Sequence, residues 1–186
     1  PVSAILIGVY EELEMLARNG GKIPGLPTGF PDLDEIIAGL NNSDLILIAA
    51  RPGMGKTAFG LNIALHAAKT SGKTAAIFNL EMGREQLVMR LLSSEGMVEL
   101  QKLITGRLEE EDWQKIARAA MTLSKADIPV DDNPSITVPE MKAKVRRLKG
   151  VELIVIDYLQ LMNSAKRIDN RVQEISEITR NLKIMA

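Results

Sequence analysis

An α/β fold, with a mostly parallel sheet covered by helices on both faces, is what this 186-residue chain predicts. Three observations carry the prediction. Apolar runs of strand length recur at residues 45–50, 74–80 and 151–157, as strands buried on both faces require. Stretches with helical spacing separate them, and that alternation is the pattern of parallel crossover units. The first run also breaks into a Pro/Gly turn and re-emerges as a helix, the context of a phosphate-binding loop.

Residues 4–18 read as a helix, because Ile5, Val9, Leu13 and Leu16 form one apolar stripe with Glu11, Glu12 and Glu14 off it. That stripe must be buried on something, and its own domain and a neighbouring subunit are equally good candidates. Residues 19–29 are rich in Gly and Pro and read as a connector. A short helix follows from Pro31 to Ile37, opened by Pro in its first turn and stopped by Gly39. The first strand, the glycine turn and the helix beginning near Ala58 come next. Residues 74–80 form a second strand and 84–93 a helix. Residues 109–124 form another helix, with Trp113, Ile116, Ala117, Ala120 and Leu123 at helical spacing. A short strand fragment is expected at 128–130. Thr137 and Glu140 stand three apart as a capping box, opening a helix through Arg147. The apolar strand 151–157 and a closing helix over 169–186 complete the pattern.

Composition narrows the function. Hydrophobic residues make up 46% and charged residues 25%, the balance of a globular domain rather than a disordered one. A net charge of −1 gives no global basic footprint, so contact with nucleic acid needs a local patch or several subunits. Cysteine is absent, which excludes disulfides and thiolate metal sites and fits an intracellular protein. No run approaches the ~20 apolar residues of a membrane span, and the N-terminus shows no secretory signal.

The chemistry concentrates in Ala50-Arg51-Pro52-Gly53-Met54-Gly55-Lys56-Thr57-Ala58. Gly53 and Gly55 let backbone N–H groups turn onto a phosphate, and the new helix adds its free donors and positive dipole end. Lys56 reaches the terminal phosphates and the Thr57 hydroxyl holds Mg²⁺; Ala50 stands where the pattern has its first Gly. Four apolar residues then Asp157 deliver a carboxylate to the carboxyl edge of the sheet, where it joins Thr57 in holding the metal. Glu81 has the same placement after its own strand, able to orient and deprotonate an attacking water; a solvated Glu at a helix N-terminus is the alternative. Gln160, three residues past Asp157, suits a γ-phosphate sensor or a plain loop residue equally. Lys142, Lys144, Arg146, Arg147 and Lys149 read as a solvated helix face. Lys166, Arg167 and Arg171 follow the Asp157 strand, where functional loops sit, and are candidates for DNA contact. His66 has no partner at ligand spacing and reads as structural.

These motifs, in this order, resemble the DnaB-type bacterial replicative helicase family in its RecA-like ATPase domain. The resemblance rests on Gly25-Leu26-Pro27-Thr28-Gly29-Phe30, Asp32-Leu33-Asp34, residues 49–57, Asn79-Leu80-Glu81-Met82, Thr105-Gly106-Arg107-Leu108, Asp112-Trp113, residues 156–162 and residues 173–178. It implies a RecA-like P-loop NTPase core over 31–186, incomplete at its C-terminus, with a linker helix over 1–19 and a flexible connector over 20–30. It implies a homohexameric ring around single-stranded DNA, each linker helix docked on the adjacent subunit, with primase and a helicase loader as partners. ATP and Mg²⁺ are the implied cofactors, and the bacterial cytoplasm, at the replication fork, the implied location. Carried over, Lys56 and Thr57 are the Walker A pair, Asp157 the Walker B acid, Glu81 the catalytic base and Gln160 the γ-phosphate-linked residue. The family's primase-binding domain, sensor strand, main DNA-binding loop and arginine finger are expected outside this chain. Because that sensor strand inserts between the two Walker strands, the sheet is expected to lack its central member. A RecA-like recombinase or clock-type ATPase would share the same motifs, and a non-catalytic nucleotide-binding or loader-docking module is the reading from another class.

Overall fold

A computed structural model describes residues 2–18, 20, 23–164 and 170–186, which fall into two compact units, 1–41 and 42–186. The first unit holds α1 (Val2–Arg18) and α2 (Pro31–Ile37). No residue of α1 is buried. Between the helices the chain is pinned at several points. Leu26 and Leu40 exchange backbone hydrogen bonds of 2.8 Å in an antiparallel bridge, and the Gly25 N–H donates to the Ala38 carbonyl at 3.1 Å. A Cβ on Gly25 would stand 2.8 Å from the Gly39 carbonyl carbon, so only glycine permits this approach. Buried Asp34 accepts the Thr28 N–H at 2.9 Å, which ties α2 to the loop before it.

The second unit is a three-layer sandwich. Its sheet has the order β2 (Val130–Asp131), β1 (Thr74–Asn79), β3 (Val151–Asp157), and both pairings are parallel. The helices are α3 (Lys56–Ser71), α4 (Arg84–Gly96), α5 (Leu100–Thr105), α6 (Glu110–Leu123), α7 (Val138–Val145) and α8 (Arg171–Met185). β1 is buried along its whole length, and its side chains alternate between two cores. Ala75 and Ile77 face Leu61, Ala64, Leu65 and Ala68 of α3 together with Leu87 and Leu91 of α4. Ala76 and Phe78 face Val138 and Met141 of α7, Met162, and Ile178 and Leu182 of α8. The α3 residues recur at i, i+3, i+4 and i+7, the spacing of one helical face. A Cβ on Gly60 would meet the Val155 side chain at 3.4 Å, so α3 runs close over β3.

Most expected elements form within two or three residues of their sequence limits, and the Thr137/Glu140 capping box is present. α5 is an addition: six residues carry no helical stripe long enough to register as a period. One expectation is overturned. Residues 45–50 are not a strand, because among the described residues no segment pairs with them. Leu45 packs on the α7/α8 side, while Ile46, Leu47 and Ile48 stay exposed. An apolar run becomes a strand only when neighbouring N–H and C=O groups are there to receive its own.

Polar tethers fix the helix ends to the sheet. Arg84 grips Asp132 with two guanidinium nitrogens at 3.0 and 3.3 Å, joining the start of α4 to the end of β2. Lys102 of α5 reaches Asp112 of α6 at 2.8 Å. These hydrogen bonds hold the Asp132 and Asp112 carboxyls below the usual carboxylate range. The Ser164 N–H and Arg171 lower Glu174 in the same way, and the Thr137 N–H and hydroxyl lower Glu140.

Two outcomes follow from this packing. Leu87→Ala, at a site with no solvent exposure, is expected to cost about 2–5 kcal/mol in urea unfolding, because the two helices over β1 cannot fully close the hole. The four lowered carboxyls stabilise the fold in full above their unfolded values of about 4 and lose that contribution as pH falls through the lower folded-state values. Urea midpoints should therefore hold steady from pH 7 to 5 and drop towards pH 3.

Candidate functional site

The site lies at the carboxyl ends of β1 and β3, the edge where open α/β sheets bind ligands. Register sets it up: the last residue of β1, Asn79, pairs with the last residue of β3, Asp157. Asp157 is 7% exposed and Asn79 1%, so both polar side chains need partners. Asp157 finds three. Lys56 Nζ lies 2.9 Å from Oδ1, the Thr57 hydroxyl donates to Oδ2 at 2.5 Å, and the Asn79 amide donates to Oδ2 at 3.4 Å. A hundred residues apart in sequence, Thr57 and Asp157 touch directly.

Lys56 and Thr57 open α3, so the preceding loop delivers them. Gly53 has φ +78° and Gly55 φ +83°, in the left-handed region that L residues avoid. No atom lies within 4 Å of a Cβ built at either position, so backbone angle rather than space demands glycine there. The Met54 N–H donates to the Arg51 carbonyl at 3.2 Å to close the turn, and the Phe59 N–H to the Gly55 carbonyl at 2.9 Å begins the helix. Arg51, Pro52, Gly53, Met54 and Gly55 are exposed, as is Ala58 in the first turn of α3. The loop thus presents its backbone to solvent beside the half-buried Lys56 and Thr57, and the helix adds the N–H donors of its first turn.

Glu81 sits two residues past Asn79 and is exposed at the same sheet edge. The Asn79 carbonyl oxygen accepts the Glu81 N–H at 2.9 Å and the Met82 N–H at 2.6 Å. Lys56, Thr57, Glu81 and Asp157 are therefore brought to one edge. Gln160 lies in a single 3₁₀ turn, Leu159–Leu161, with its side chain exposed.

Of the three basic candidates, Lys166 and Arg167 lie outside the described residues. Arg171 is at the start of α8, where its guanidinium pairs with Glu174 at 2.5 Å and donates to the carbonyls of Gln160 and Met162. His66 Nε2 lies 3.3 Å from the Thr70 hydroxyl one turn along α3.

Two residues of the site escaped sequence reasoning. Tyr158 places its ring under Lys56, with Nζ 4.1 Å from the centroid, a cation–π contact. No sequence signal marks it apart from its place after Asp157. Asn79 carried a signal, a polar residue closing an otherwise apolar buried strand.

The donor set suits Mg²⁺ with a phosphate ligand. Thr57 and Asp157 offer hard oxygens in contact, and Mg²⁺ is usually held by one or two carboxylates plus substrate phosphates. Among the described residues no group of three or more His, Asp or Glu could hold a metal without such help. Gly55→Ala should lower stability by about 1–2 kcal/mol through its left-handed φ; the same variant should weaken binding of a fluorescent ATP analogue, read by titration.

Residues 25–186 match the family model of the DnaB-like helicase C-terminal domain. Over 189 residues the chain is 50% identical to the replicative DNA helicase DnaB of Geobacillus stearothermophilus, a match covering 100% of this chain and 42% of that protein. The replicative DNA helicase DnaC of Bacillus subtilis (strain 168) shows the same 50% identity, with the same coverage of 100% and 42%. A solved DnaB-like replicative helicase, described with its interactions with primase, has a TM-score of 0.90 and 36% identity over 100% of this chain and 45% of that one. A second solved structure, of an isolated ATPase domain, gives a TM-score of 0.90 and 36% identity over 100% of this chain and 66% of that one. The chain spans less than half the length of the curated relatives it matches.

Proposed function

The chain belongs to the DnaB-like helicase C-terminal domain family, and we propose that it is the ATP-hydrolysing motor of a replicative DNA helicase. The observation that carries this reading is the convergence of Lys56 and Thr57 on the two oxygens of Asp157, beside the turn that bears Glu81. A recombinase or clock-type ATPase would share these motifs, but the identity with replicative helicases runs over the whole chain.

In this reading, residues 51–58 cradle the phosphates of ATP with backbone N–H groups. Lys56 exchanges its pairing with Asp157 for the terminal phosphates, and the Tyr158 face supports it from the opposite side. Thr57 and Asp157 hold Mg²⁺, which neutralises phosphate charge when bound. Glu81, at a solvent-reached edge, orients the attacking water and takes its proton. Gln160 reports the γ-phosphate to the loop after β3, whose carbonyls Arg171 already grips.

Substrate and assembly come by extension from the relatives. The protein works as a homohexamer on single-stranded DNA in the bacterial cytoplasm, at the replication fork. Residues 1–19 serve as a linker helix docked on the next subunit, 20–30 as the connector and 31–186 as the core. Lys166, Arg167 and Arg171 contribute to DNA contact. Primase, the partner of a solved relative, and a helicase loader are its protein partners.

The decisive experiment pairs two variants in the natural protein in its own assembly, with ATP turnover and nucleotide affinity both measured. Lys56→Ala should weaken nucleotide binding about 10–100-fold, as the loss of a charged contact does. Glu81→Gln should keep affinity and lose about 10²–10⁴-fold in turnover, the size of a general-base contribution. Unchanged affinity in the first removes the phosphate-loop assignment; normal turnover in the second removes the base.

A further inference from the structure

We propose that Asn79 is a positioning residue that locks the turn carrying Glu81 to the carboxylate of Asp157. It rests on the reading of Glu81 as the base and extends it to the group that aims that base.

A primary amide in a strand buried on both sides is unfavourable unless every polar atom is satisfied. Asn79, at 1% exposure, meets that demand in two directions at once. Its carbonyl oxygen takes the N–H groups of Glu81 and Met82 at 2.9 and 2.6 Å. Its NH₂ donates across the sheet to Asp157 Oδ2 at 3.4 Å, the oxygen that also receives the Thr57 hydroxyl. Only one amide orientation serves. Turned over, the NH₂ would face two N–H donors and the carbonyl oxygen a carboxylate.

The geometry of the chain gives this amide its leverage. The last backbone bond between β1 and the β3 strand end runs from the Leu80 N–H to the Asp157 carbonyl at 2.7 Å. Glu81 is the first residue beyond it, exposed, three residues before α4. Nothing in the ladder sets its direction, so the two N–H groups captured by Asn79 do. The side chain length is specific. Asp has the reach but places a second carboxylate against Asp157, and Ala makes neither set of bonds.

The test uses the natural protein in its own assembly, with ATP turnover, affinity for a fluorescent ATP analogue and thermal unfolding read on each variant. Asn79→Ala should lower turnover about 10–100-fold while affinity stays within about twofold, the usual size of an outer-shell contribution. In a Glu81→Gln background, Asn79→Ala should cause no further loss, because both changes act through one group. A residue that merely supports the fold would instead add its loss to that of Glu81→Gln and lower affinity as stability falls. Either of those results, or full turnover in Asn79→Ala, overturns the proposal. Should Asn79→Ala not fold, Asn79→Asp keeps an acceptor for both N–H groups, and the same loss without additivity is expected of it. An active Asn79→Ala beside an inactive Glu81→Gln overturns the positioning role alone; an active Glu81→Gln overturns the base and the positioning role together.

Discussion

Asp157 collects three donors from two elements that meet only because the sheet is parallel: Lys56 and Thr57 from the start of α3, and Asn79 from the end of β1. Parallel strands finish at the same edge, so the last residues of β1 and β3 lie side by side. A carboxylate that is only 7% exposed is tolerated because each of its oxygens is held by a donor. With Lys56 and Thr57 on that carboxylate, the amino acids that would serve a triphosphate and its metal are already assembled around a common point. Binding then exchanges partners rather than building a site, which limits the ordering cost of association.

The two cores on either face of β1 hold that edge in place. Alternate residues of one strand enter opposite cores, so a shift by one residue would exchange both sets of contacts. Register at the functional end is thus set by apolar packing along the strand, and the pairing of Asn79 with Asp157 is a consequence. Gly60 lets α3 approach β3 closely, carrying Lys56 and Thr57 towards the strand they serve.

Around this rigid centre the connecting segments are tied by charge. Arg84 holds the start of α4 to Asp132, and Arg171 holds the loop after β3 through the carbonyls of Gln160 and Met162. Asn170 caps α8, accepting the Val172 N–H at 2.9 Å. Each tether sits at a helix start near a strand end. Loops carrying Glu81 and Gln160 are thereby aimed by local hydrogen bonds while their side chains stay open to solvent.

Much of this was legible in the order of residues. The helix–strand alternation, the capping box of Thr137 and Glu140, and the glycine loop with Lys56 and Thr57 are local patterns, visible because hydrophobic period and turn chemistry act over a few residues. Asp157 and Glu81 were found for the same reason, as acids closing apolar strands. The contacts were not legible. Asn79 looked like an ordinary strand end until its amide was seen to bridge Glu81 and Asp157, and Tyr158 gained meaning only under Lys56. Residues 45–50 have every local property of a strand and are not one here. The chain by itself decided which elements can form and which residues carry chemistry. The tertiary structure decided which strands pair and which side chains share a carboxylate, because sheet hydrogen bonds and buried polar contacts exist only between segments distant in sequence.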